Sequence, residues 1–154
     1  CIRASHSIER DVFPKLAEAN LLNGKQFEGY FIDAGTPTAW MEGVQRCIRE
    51  ERFNTGRAVD GTWYAKQSDY PSATIRGSMI EADVLIEQAS IESSTLLAHT
   101  KVGLNAQVSN SLVGRSATIG RDVILDGVVV DHDSIIPDGT VQEGGQWPKV
   151  DTAA

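Results

Sequence analysis

Residues 117–123 read Ala-Thr-Ile-Gly-Arg-Asp-Val, and related segments recur along the second half of the chain. Aliphatic residues stand five or six positions apart, at 75, 80, 86, 91, 97, 102, 108, 113, 119, 125, 130 and 136. An α-helix has 3.6 residues per turn and a strand alternates every two residues, so neither produces this interval. Self-similarity at a fixed period predicts a repeat protein.

Three such units make a longer repeat, and each unit can form one side of a triangular tube. The first residue of a unit would point inwards and the corner residues would face water. Successive turns would stack at the strand spacing of about 4.8 Å and pair as parallel ladders. We therefore predict a parallel β-solenoid over residues 75–145. The inward column on one side is predicted to contain Ile80, Leu97, Val113 and Val130, separated by 17, 16 and 17 residues.

The repeat resembles the hexapeptide repeats of left-handed parallel β-helix proteins. The left hand is implied by this resemblance alone, because crossovers between parallel strands are otherwise mostly right-handed. Hexapeptide coils occur in acyltransferases, in carbonic-anhydrase-like proteins and in nucleotidyltransferases. The repeat therefore predicts the fold and leaves the function open.

The first third of the chain has a different pattern, typical of mixed α/β structure. Ser7 can cap a short helix, and residues 26–32 are rich in residues that favour a strand. Thr36 can cap a second helix with Pro37 in its first turn. The predicted organisation is an α/β segment (1–55), a linker with an irregular first coil (56–74), the β-helix (75–145) and a tail (146–154).

Two segments of this α/β region resemble the end of the catalytic domain in sugar-phosphate nucleotidyltransferases. They are S-I-E-R-D-V-F-P-K-L at residues 7–16 and G-Y-F-I-D-A-G-T-P at residues 29–37. Mannose-1-phosphate and heptose-1-phosphate guanylyltransferases and glucose-1-phosphate thymidylyltransferases share this pair of motifs, followed by hexapeptide coils. The resemblance implies a mainly β fold, in which a left-handed β-helix follows a small α/β remnant of a catalytic domain.

The implied reaction transfers a nucleotidyl group from a nucleoside triphosphate to a sugar 1-phosphate and releases pyrophosphate. The resemblance places Asp33 as a ligand of Mg²⁺ and Gly35 beside the sugar or phosphate. A carboxylate at the end of a strand suits this role, since ligands of α/β proteins bind there and Mg²⁺ prefers oxygen. The alternative for Asp33 is a turn-forming residue before a helix cap.

The chain departs from the resemblance in one respect that bears on activity. The family's glycine-rich phosphate-binding loop and its second metal-binding aspartate are absent from these 154 residues. We therefore assign no catalytic residue and expect this chain alone to be inactive. The first residue is Cys1, not Met, so we expect the chain to be part of a longer protein.

A rival hypothesis uses two histidines. His99 and His132 each follow a predicted inward aliphatic residue by two positions, which predicts that they share one edge of the tube with Arg115 between them. Two coils span roughly 10 Å, too far for one metal ion within a chain. A metal site between chains, as in carbonic-anhydrase-like coils, or a histidine base in an acyltransferase remains an alternative.

A third hypothesis is a non-catalytic oligomerisation or regulatory module, and we expect a homo-oligomer. Ile124 and Val128 are the predicted outward-facing apolar contacts.

Composition limits the classes of partner and the cellular location that the protein could have. The net charge is −7 and the pI is about 4.9, which argues against nucleic-acid and anionic-membrane partners. No apolar run approaches the ~20 residues that span a bilayer. The two cysteines lack metal-type spacing, which favours a reducing, cytoplasmic setting.

Overall fold

The structure, a computed structural model, describes residues 7–26, 28–29, 31–66 and 70–148. The chain divides into two compact units, Cys1–Phe31 and Ile32–Ala154.

The first unit contains a π-helix, Ile8–Val12, and helix α1, Phe13–Glu18. Ser7 caps the start, as predicted, because its Oγ accepts the N–H of Arg10 at 3.3 Å. The Asp11 carboxylate accepts the N–H of Ser7 at 2.7 Å in return. Each of these bonds satisfies a backbone donor that the start of a helix leaves without an intrahelical partner.

The predicted strand over residues 26–32 does not form in the described part of that stretch, and Phe27 and Tyr30 lie outside the described residues. A strand is stabilised by pairing with a neighbour. The first described strand of the chain begins only at Arg57, and none pairs with this segment among the described residues.

The second unit begins with helix α2, Pro37–Arg49. The Thr36 Oγ1 accepts the N–H of Ala39 at 3.2 Å, so the predicted cap and the predicted place of the proline are confirmed. One face of α2 packs on the first coils of the solenoid. The buried cluster there consists of Val44, Ile48, Trp63 and Met79.

The rest of this unit winds into a parallel β-helix of about five turns with three faces. The first face contains β3 (Thr74–Arg76), β6 (Ser90–Glu92), β9 (Gln107–Ser109), β12 (Ile124–Asp126) and β15 (Val141–Glu143). The second face contains β1 (Arg57–Val59), β2 (Thr62–Tyr64), β4 (Met79–Ile80), β7 (Thr95–Leu96), β10 (Leu112–Val113), β13 (Val129–Val130) and β16 (Gln146–Trp147). The third face contains β5 (Leu85–Ile86), β8 (Lys101–Val102), β11 (Thr118–Ile119) and β14 (Ile135–Ile136).

All ladders of the β-helix are parallel except the hairpin β1–β2, which starts the second face and which the sequence did not predict. This arrangement is consistent with the left-handed β-helix that the hexapeptide repeat predicts. None of the described helices is long and apolar enough to cross a membrane.

The inward column of the second face corrects one prediction. Pairing places Ile80, Leu96, Val113 and Val130 in register. Leu96 is 0% exposed, whereas Leu97 is only partly buried, so the prediction of Leu97 was wrong by one residue. The coil from Ile80 to Leu96 has 16 residues, and the two following coils have 17 residues each. The other predicted inward residues with full burial are Ile91, Val102, Val108, Ile119, Leu125 and Ile136.

A buried column of hydroxyl groups runs along the corner between the first and second faces. Ser78, Ser94 and Ser111 are fully buried, and the Oγ of each donates to the carbonyl two residues earlier at 2.6–2.8 Å. The same oxygens accept backbone N–H groups from the next coil, those of Ser94, Ser111 and Val128, at 3.0–3.1 Å. The serines thus satisfy backbone donors that would otherwise be buried without a partner.

Val128 continues this column inside the tube. It is 0% exposed, so its predicted role as an outward contact was wrong, whereas Ile124 is 41% exposed. The bond from its N–H to Ser111 places Val128 at the position of the buried serines. In the last coil, at the C-terminal end of the stack, Trp147 packs against the core and its Nε1 donates to the Ile135 carbonyl at 3.2 Å.

Candidate functional site

A cleft of about 460 Å³ lies between the start of α2 and the outer surface of the second face. We call it the α2 cleft. One wall comes from the segment before and at the start of α2, namely Ala34, Gly35, Thr36, Pro37 and Trp40. The other wall comes from the β-helix, namely Leu97, Leu112, Gly114, Val129, Val130, Asp131 and His132.

The packing of α2 explains why the cleft forms at this end of the helix. The C-terminal half of α2 contacts the first coils through Val44 and Ile48. The N-terminal half extends over later coils, where the outer residues are Leu112 and Val129. These two aliphatic side chains are half-buried and leave open space in front of Trp40.

Asp33 and Gly35 form the turn that leads into α2. The Asp33 Oδ1 accepts the N–H of Gly35 at 3.2 Å, which is the turn-forming role considered as the alternative for Asp33. Gly35 lines the α2 cleft, and Asp33 does not. The roles of Asp33 as a metal ligand and of Gly35 in substrate binding stay predictions.

The described residues do not form a complete Mg²⁺ site by themselves. Among them, no group of three or more His, Cys, Asp or Glu side chains is placed to hold a metal. Asp33 supplies a single exposed carboxylate. Mg²⁺ keeps an octahedral oxygen shell of which the protein often supplies one or two carboxylates, the rest coming from water and phosphate. A site at Asp33 would therefore need further ligands.

His132 lies in the α2 cleft beside Arg115. The His132 Nδ1 accepts the backbone N–H of Arg115 at 2.8 Å. The neutral ring therefore carries its proton on Nε2, which makes that atom a hydrogen-bond donor. Arg115 and His132 occupy corresponding positions on successive coils, as predicted.

His99 lies in the same turn between the second and third faces, but it does not share that column, so the prediction that it stacks in line with His132 was wrong by one residue. His99 is a corner residue with φ of 64°, and the corresponding corner residues on the next coils are Ser116 and Asp133. Because Leu96, and not Leu97, points inwards, His99 is one position further along its coil than His132. The structure thus places His132 in the cleft and His99 in the neighbouring column of the same corner, between the second and third faces.

The neighbours of His99 are charged groups at the surface. Its Nδ1 lies 4.0 Å from the Asp83 Oδ2, and the Lys66 Nζ lies 2.9 Å from the Asp83 Oδ1. The hydrogen bond from Lys66 holds the pKa of Asp83 below its ordinary value. These groups are mostly exposed, where ion pairs contribute little to stability.

A family model described as GlmU-like, C-terminal hexapeptide matches residues 63–149. The chain belongs to this family. None of the curated proteins matches the chain. In this GlmU-like hexapeptide protein, the matched region includes the β-helix wall of the α2 cleft, whereas the wall from Ala34 to Trp40 precedes the match.

Most residues of the α2 cleft were not predicted as site residues, Trp40 and Leu112 among them. Trp40 lies on α2 and is only partly buried against the cluster that packs the helix on the first coils. Leu112 directly precedes the inward residue Val113 on β10. An apolar residue on the outer side of a β-helix strand indicates that another element covers that strand, and this was the available signal.

Proposed function

We propose that this chain is the C-terminal part of a sugar-1-phosphate nucleotidyltransferase located in the cytoplasm. The reaction would convert a nucleoside triphosphate and a sugar 1-phosphate into a nucleotide sugar and pyrophosphate. The observation that supports it best is structural continuity. The Asp33–Pro37 turn, the helix that it starts and the hexapeptide coils belong to one compact unit. The same order of motif, helix and coils occurs in the nucleotidyltransferases that the sequence resembles.

The proposal gives Asp33 and Gly35 a role only in the longer protein. There, Asp33 is a candidate ligand of Mg²⁺, and Gly35 is a candidate contact of the sugar or of the phosphate. The phosphate-binding loop and the second aspartate would come from residues preceding this chain. The 154 residues by themselves are proposed to be inactive.

The first experiment measures pyrophosphate release with Mg²⁺, each nucleoside triphosphate and mannose or glucose 1-phosphate. The 154-residue chain is expected to release none, and the protein extended upstream of Cys1 is expected to be active. In the extended protein, Asp33→Asn should lower activity strongly, because a neutral amide is a poor Mg²⁺ ligand. Asp60→Asn, at an exposed turn with φ of 48°, is the matched control. An extended protein that releases no pyrophosphate with any substrate pair would refute the proposal.

A homo-oligomerisation module is the second candidate function, and it is compatible with the first. Large aliphatic side chains point outwards from the first and third faces among the described residues. They are Leu85, Ile124, Ile135 and Val141, and they are 41–70% exposed. Sedimentation velocity of the chain is expected to show an oligomer that Ile135→Lys weakens. A strict monomer at high concentration would count against this function.

The acyltransferase and carbonic-anhydrase-like hypotheses gain no comparable support. They depend on His99 and His132 acting together, and the two residues occupy different columns and lie two coils apart.

A further inference from the structure

We propose that the α2 cleft is a binding site for an uncharged pyranose ring, such as a hexose. The choice of a hexose over other uncharged rings rests on the proposed function, whereas the existence of the site rests on the cleft itself. No catalytic role is attached to the site.

The walls of the cleft suit a ring with an apolar face. Its volume of about 460 Å³ lies within the range of roughly 300–1,000 Å³ that is usual for small-molecule sites. Trp40 contributes an aromatic side chain on the helix side, and Leu112 and Val129 contribute aliphatic surface opposite it. A pyranose presents C–H groups on its faces, which pack favourably on such surfaces.

Polar groups of the cleft suit the hydroxyls at the edge of such a ring. The bond from Arg115 to the His132 Nδ1 leaves Nε2 as a donor. The Asp131 Oδ2 accepts from the Gln146 Nε2 at 2.9 Å, and a carboxylate has further acceptor capacity. A hydroxyl both donates and accepts, so it can bond to either side chain.

The charge of the cleft argues against a phosphorylated ligand. None of the side chains that line it in the described structure belongs to Lys or Arg, and Asp131 brings a carboxylate. The start of α2 favours anions, but the Thr36 Oγ1 already accepts the N–H of Ala39 there. We therefore expect a hexose to bind better than the corresponding hexose 1-phosphate.

Binding can be tested on the whole 154-residue chain by saturation-transfer NMR and calorimetry, with mannose, glucose, their 1-phosphates and guanosine as probes. Leu112→Trp should weaken hexose binding strongly, because the larger side chain occupies space in front of Trp40. Ile135→Trp makes the same kind of change at an outward position of the third face and should leave binding unchanged. Circular dichroism of both variants checks that they fold.

The two histidines provide a second matched pair. His132→Ala should weaken hexose binding about fivefold, the effect of one lost hydrogen bond. His99→Ala should have no effect. The inference is overturned if no hexose binds, if Leu112→Trp binds normally, or if guanosine or the 1-phosphates bind more tightly than the hexoses. Absent hexose binding together with pyrophosphate release by the extended protein would overturn this inference alone. Hexose binding without pyrophosphate release would overturn only the proposed enzyme function.

Discussion

Truncation of Leu96 should destabilise the β-helix much more than truncation of Leu97. Leu96 is 0% exposed and stacks between Ile80 and Val113. Leu96→Ala removes three carbon atoms at about 0.8 kcal/mol each, or about 2.4 kcal/mol of transfer free energy. The residual cavity raises the expected loss of unfolding free energy to about 3–5 kcal/mol.

Leu97→Ala is the adjacent comparison with identical chemistry. The Leu97 side chain lines the α2 cleft and keeps part of its surface in water. Its truncation leaves no closed cavity, so the expected loss is about 1 kcal/mol or less. Leu85→Ala, at a position that is 61% exposed, should be close to neutral.

Urea denaturation followed by circular dichroism measures all three variants. Equal m-values are required, since a changed m-value would indicate a loss of two-state behaviour, which occurs in repeat proteins. If Leu97→Ala proves as damaging as Leu96→Ala, the register of the second face is wrong.

Three further predictions concern hydrogen bonds and close packing between coils. Ser111→Ala should cost about 1–3 kcal/mol of unfolding free energy, because it leaves a buried N–H without an acceptor; the exposed Ser90→Ala is the control, and equal urea midpoints would contradict the reasoning. Gly114→Ala places a Cβ 2.6 Å from backbone atoms of the next coil and should cost about 1–3 kcal/mol, seen as a lower melting temperature; an unchanged melt would show that the coils separate easily. The hydrogen bond from Asn110 is the main cause of the lowered pKa of Asp126. The bond therefore stabilises the fold at pH values above the ordinary pKa of a carboxyl group. This stabilisation is lost as the pH falls through the lowered pKa. Asn110→Ala should raise that pKa in an NMR titration, and no change would remove Asn110 as the cause.

The tube could be predicted from the sequence because its interior accepts only side chains from every fifth or sixth position. Because of that constraint, aliphatic residues recur at a regular interval in the sequence. Ile91, Val108 and Leu125 all lie buried at predicted positions. Register is a finer property. Leu96 and Leu97 are adjacent and equally apolar, so only the pairing of Leu96 with Val113 distinguishes the inward one.

The α2 cleft could not be predicted, because its two walls are far apart in the sequence. Gly35 came from a family resemblance and His132 from a separate hypothesis, yet both line the same cleft. Their meeting depends on the direction in which α2 crosses the second face. That direction is set by the packing of Val44 and Ile48 on the first coils. The amphipathic pattern of a helix does not predict the direction in which the helix crosses a sheet.

The register of one coil also has consequences for chemistry. Successive side chains on a strand point to opposite sides, so a slip of one residue exchanges inward and outward positions. With Leu97 inward, His99 would stack in the column of Arg115 and His132, which is the geometry that a two-histidine edge requires. With Leu96 inward, His99 becomes a corner residue beside Asp83, and His132 is the histidine that lines the α2 cleft. The stability difference between Leu96→Ala and Leu97→Ala therefore also tests which histidines can act together.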